Sequence, residues 1–108
     1  MTNDLNDPDF SKYCEKADPE DLMLNLTGGN IRGLDRLAMR SLSQRKQLPL
    51  AVVNVLLVYF FTTFSNKVYD RNDLARVYDH WAKNQVYTFT QAKHAATVDI
   101  HTILKRTR

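Results

Sequence analysis

From Gln47 to Ala92 the chain reads QLPLAVVNVLLVYFF and, after a short break, NDLARVYDHWAKNQVYTFTQA, two halves that distribute their apolar residues differently. The first is apolar on every side, with Asn54 the only strongly polar side chain between Pro49 and Phe60. The second carries one stripe, Leu74, Val77, Tyr78 and Trp81. A helix apolar all round has to be enclosed, whereas a one-sided helix lies on a core with its other face in water. The pattern therefore predicts an all-α fold, a compact bundle of about five helices around a central apolar helix spanning about Pro49–Phe64. That run falls well short of the ~20 residues a bilayer requires, so it reads as a core helix and not a membrane span.

The flanking sequence supplies the other elements. Asp18-Pro19-Glu20-Asp21 is a helix start: Asp18 caps, Pro19 suits the first helical position, and the acids favour the positive end of the dipole. This helix should stop at Gly28-Gly29 after about Leu26. Ile31, Leu34, Leu37, Ala38 and Leu42 recur at helical spacing, predicting a second helix through about Arg45. Leu74 to about Asn84 forms the next amphipathic helix after the central one. Thr88 with Gln91 three residues on is a capping box for a last helix whose inner face is Phe89, Ala92, Ala96, Ile100 and Ile103. Residues 1–9 read as a flexible acidic arm and 10–108 as a single helical domain, with Phe10 and Tyr13 opening a short docked turn.

At 108 residues the chain is long enough for one core. The lone Cys14 and the absence of a charged-then-apolar leader predict a reducing, cytosolic setting. Charge is split along the chain. Residues 1–21 hold seven acids against Lys12 and Lys16, a net charge of −5, and the remainder holds thirteen Lys and Arg against five acids, +8. A basic body suits a polyanionic partner, while an acidic arm can shield it or meet another basic surface.

An ordered series of residues also carries a likeness. Val52-Val53-Asn54-Val55-Leu56, entered through Leu48-Pro49, is followed by Val77, His80-Trp81, Val86, Thr88, Gln91 and Ala92, so that Trp81 through Ala92 fits W-x-x-x-x-(I/V)-x-T-x-x-x-A. Asp18 to Leu22 and Gly28-Gly29 match an earlier helix start and glycine loop. This series resembles the C-terminal, DnaB/DnaD-like domain of Gram-positive replication-initiation and membrane-attachment proteins, within the DnaB/DnaD primosomal family. The resemblance implies a non-catalytic module that binds DNA, single-stranded by preference and with weak sequence specificity, and primosomal or helicase-loading proteins during replicative helicase loading. It implies a cytoplasmic place on the nucleoid, with peripheral membrane attachment a property of the full-length proteins. The related motif Tyr-x-x-x-Ile-x-x-x-Trp is met here by Val77 and Trp81 but has Asp73 where the Tyr would fall. An acid there removes a stacking platform and sets negative charge near any phosphate.

Contact with DNA is accordingly expected from basic residues outside the stripe. The candidates are Arg71, Arg76, Lys83, Lys93, Lys105, Arg106 and Arg108, with Tyr87 as an exposed aromatic; they would form a groove if the last helices pack side by side. Arg32, Arg36 and Arg40, spaced i, i+4, i+8, form a second basic face; Asp35 is placed to neutralise part of it, as Asp79 is for Lys83. Asn54, Val77, Trp81 and Thr88 read as structural: Trp81 as a core anchor, Asn54 as a buried amide bonded to a neighbouring loop or setting register between subunits. No catalytic residue, metal site or cofactor is expected, because the three His and one Cys show no ligand spacing and Gly28-Gly29 lacks the Lys-Ser/Thr of a phosphate loop. No small-molecule substrate is expected either. The rival expectation is a protein-interaction module without DNA binding, homo-oligomeric or bound to a defined partner.

Overall fold

The computed structural model describes residues 5–42, 45–64 and 67–104. Every regular element among them is helical: α1 (Pro8–Lys16), α2 (Pro19–Leu26), α3 (Gly33–Arg40), α4 (Leu50–Phe64), α5 (Asp73–Lys83), α6 (Phe89–Ala95) and α7 (Ile100–Leu104). The expected all-α bundle is thus built from seven helices where about five were expected, for two local reasons.

The first lies at the N-terminus, where Asp7-Pro8 repeats the Asp18-Pro19 signal. The Asp7 carboxylate accepts the Asp9 N–H across 2.9 Å, Pro8 takes the first helical position, and α1 begins inside the segment expected as an arm. Leu5 packs on the core, and the Ser11 hydroxyl donates to its carbonyl. The second lies in the final helix. Thr97 folds its hydroxyl back onto the His94 carbonyl at 2.7 Å, and Asp99 accepts the His101 N–H at 3.0 Å, so the helix ends after Ala95 and restarts at Ile100. Ser41 shortens α3 in the same way, its hydroxyl and N–H both turned onto Ala38 O.

Elsewhere the expected boundaries hold. Asp18 caps α2, Gly28 and Gly29 take φ +64° and +87° after it, Pro49 O accepts the first helical bond of α4, and Thr88 with Gln91 closes a capping box on α6. α4 is the hub: α1, α2, α5, α6 and α7 all pack against it, while α3 packs against α5 and α7 also lies on α5. Ten of its fifteen residues are buried, around its whole circumference. Phe60, Phe61, Phe64 and Tyr69 form an aromatic cluster with ring centres 4.8–6.0 Å apart. No helix among the described residues is long and apolar enough to cross a membrane.

Candidate nucleic-acid interface

The amphipathic stripe of α5 turns Leu74, Val77, Tyr78 and Trp81 into the core and leaves Arg76, Asp79, His80 and Lys83 outside. Two buried anchors fix its rotation. Trp81 stacks on Tyr59 of α4 at 5.6 Å and 21°, and the Tyr78 hydroxyl accepts the Leu48 N–H at 3.0 Å. Trp81 is 1% exposed, so it is a core anchor and not a surface for bases.

Asp73, the acid at the motif's aromatic position, does not stand out over this face. It is buried at the start of α5, where a carboxylate suits the positive helix end, and it accepts a bond from Arg76 at 3.3 Å. Its charge is thereby offset within the protein, at the cost of engaging Arg76. The Asp79 carboxylate is held by Arg45 in a two-pronged pair, 2.9 and 3.2 Å, and not by Lys83. Lys83, His80 and Arg71 are exposed and form no ion pair with a described residue. Tyr87, half exposed, lies just beyond the end of α5.

Lys93 is separated from that group. α6 lies on α4 while α7 takes the place beside α5, so the side-by-side packing expected of the last helices is met by α7 alone. Lys93 stands 5.7 Å over the Phe89 ring and lines a cleft of about 590 Å³ between α4 and the α6–α7 turn. In the cleft wall the Tyr59 hydroxyl donates to Val98 O, and burial, aided by the Asp99 charge, pushes its pKa up to about 12. Lys105, Arg106 and Arg108 lie outside the described residues.

The second basic face is dismantled. Arg32 is a structural clamp: it holds Asp35 through Nε and Nη2, donates to Phe64 O and Lys67 O at 3.2 and 2.8 Å, and lies over the Tyr69 ring. Arg36 pairs with Glu20 at 3.1 Å. Arg40 alone is exposed without an ion-pair partner among the described residues. Between α2 and α3, Glu20, Arg36 and Arg40 border a cleft of about 340 Å³ with Met23, Ile31 and Met39 in its walls.

Asn54 is fully buried, its amide nitrogen donating to Cys14 O and Ala17 O at 2.8 Å each. It therefore ties the end of α1 to the core rather than setting register between subunits. Sequence reasoning missed Arg45 and Gln85. Arg45 meets Asp79 across 34 positions of chain, which no local pattern announces. Gln85 occupies a left-handed position, φ +60°, of the kind glycine usually marks.

Among the described residues no three His, Cys, Asp or Glu side chains gather to hold a metal ion. No family model, curated protein or solved structure matches the chain.

Proposed function

We propose that the chain is a DnaB/DnaD-type replication-initiation module that binds single-stranded DNA and primosomal partners during helicase loading, in the cytoplasm on the nucleoid. One observation carries the DNA part: Asp73 is buried and paired, while Arg71, His80, Lys83 and Tyr87, spread from just before α5 to just beyond it, remain exposed. The acid that would repel phosphate is offset internally, and cations that can follow a backbone are left free of Asp79. Such binding reads charge, is weakly sequence-specific and falls with salt. Titrating a fluorescein-labelled oligonucleotide over a salt series tests it. Lys83→Glu should weaken binding about ten-fold at low salt and flatten the salt dependence by about one phosphate contact. Equal affinity of wild type and variant, or none in wild type at low salt, overturns it.

A second reading, a protein-interaction module without DNA binding, is favoured by the α2–α3 cleft. Methionine walls adapt to varied apolar side chains, and Arg40 at the rim, where Arg36 is already paired with Glu20, offers a cation to a partner segment. It predicts that Met39→Asp abolishes partner binding and that oligonucleotide affinity never exceeds that of a neutral control protein.

A further inference from the structure

α5 ends in a Schellman turn: Val86 N–H donates to Trp81 O at 3.0 Å and Gln85 N–H to Ala82 O at 3.1 Å. The turn's left-handed residue is Gln85, the only non-glycine residue with positive φ among those described. Glycine takes this conformation without steric penalty, so a glutamine here holds strained backbone in exchange for a side chain.

That side chain borders a cleft of about 420 Å³ between the turn and α6, floored by Val86 and Ala95 and rimmed by Gln85, Thr90, Gln91 and His94. Gln91 Oε1 accepts the Tyr87 and Thr88 N–H groups, which fixes the amide and leaves its NH₂ as a donor. The Gln85 amide, Thr90 hydroxyl and His94 ring make no hydrogen bond to a described residue. A small apolar floor and a rim of donors and acceptors, with the exposed Tyr87 following Val86 in the chain, match what an unstacked base requires, which is edge-directed hydrogen bonds and a flat surface.

We propose that this cleft seats one nucleobase of a bound single strand, with Gln85 and Gln91 reading its edge and Tyr87 stacking on it or on its neighbour. The proposal rests on the nucleic-acid reading above and adds a base-dependent component to it.

Two labelled oligonucleotides of about fifteen nucleotides test it by anisotropy on the full chain: one of mixed, non-self-complementary sequence, and one abasic throughout. Wild type should bind the base-bearing strand about ten-fold tighter. Gln85→Gly should reduce that ratio at least about three-fold while leaving abasic affinity and salt slope unchanged, and it should raise Tm because the turn is relaxed. A Thr90→Ala/His94→Ala double variant should lower the ratio likewise. A ratio near one in wild type, or one unchanged in Gln85→Gly, overturns the base site while the nucleic-acid reading stands. Binding of neither strand overturns both.

Discussion

The Tyr69 hydroxyl donates to the Asp35 carboxylate across 2.6 Å, joining two buried residues from α3 and the segment before α5. With Arg32 on the other side, Asp35 has no water to rely on and depends wholly on these partners. Burial pushes its pKa up, but the bonds from Arg32 and Tyr69 outweigh it and hold the carboxyl below the usual carboxylate value. A depressed folded pKa means the stabilisation is complete above the unfolded value, near 3.8, and is lost as pH falls through the lower folded value. Urea unfolding should therefore show wild-type stability dropping below about pH 4, with a shallower drop in Asp35→Asn. At neutral pH Asp35→Asn should cost about 3 kcal/mol and Tyr69→Phe about 1.5 kcal/mol. Parallel pH profiles for wild type and Asp35→Asn would refute the assignment.

Asn54 supports the α1–α2 junction through its two N–H bonds. Asn54→Ala should cost about 2–3 kcal/mol, from two orphaned carbonyls and a cavity. Asn54→Asp, nearly isosteric, should be worse at pH 7, because it sets an acceptor against Cys14 O and Ala17 O; its deficit should shrink as pH falls and the carboxyl becomes a donor. If the aspartate variant melts at the wild-type temperature, the donor role is wrong.

Trp81 belongs to the core and not to any ligand. Trp81→Ala should lose about 3–5 kcal/mol, whereas Trp81→Phe should fold and keep oligonucleotide affinity within about two-fold. Native Trp emission should resist iodide and stay unchanged when DNA is added. Quenching by DNA would show the indole reaching the surface.

Cys14 reports on α1. It is fully buried, and burial pushes its thiol up to about 11, so little thiolate forms and none is accessible. Ellman's reagent should react only as fast as the chain opens, with the full rate restored above the urea midpoint. A burst of reaction in the native state would mean that α1 detaches on its own.

The parts of the fold that announced themselves were those fixed by local chemistry. Asp18-Pro19, Gly28-Gly29, Pro49 and the Thr88–Gln91 box each act within a few residues, and the wholly apolar α4 leaves no choice but enclosure. The Asp7-Pro8 start of α1 was equally visible and was outweighed by the polar composition around it. The break at Thr97–Asp99 was masked because Ala96, Ile100 and Ile103 keep helical spacing across it. The candidate interface was only half legible: periodicity exposed Lys83 and buried Trp81, but whether a cation is free depends on partners distant in sequence. Arg45 releases Lys83 from Asp79, Glu20 engages Arg36, and Phe64 and Lys67 carbonyls claim Arg32. The left-handed Gln85 gave no signal at all, since the residue type contradicts the conformation.

Because α1 and α2 both rest on α4, and α3 rests on α5, none of these three helices rests mainly on another of the three. As a ribosome makes this chain, those segments wait for their platform until Phe64 has emerged, and α3 waits longer still. Folding is then set by the arrival of the middle of the chain, and a pause in translation just after α4 would be the moment at which this protein is most open to aggregation or to a chaperone.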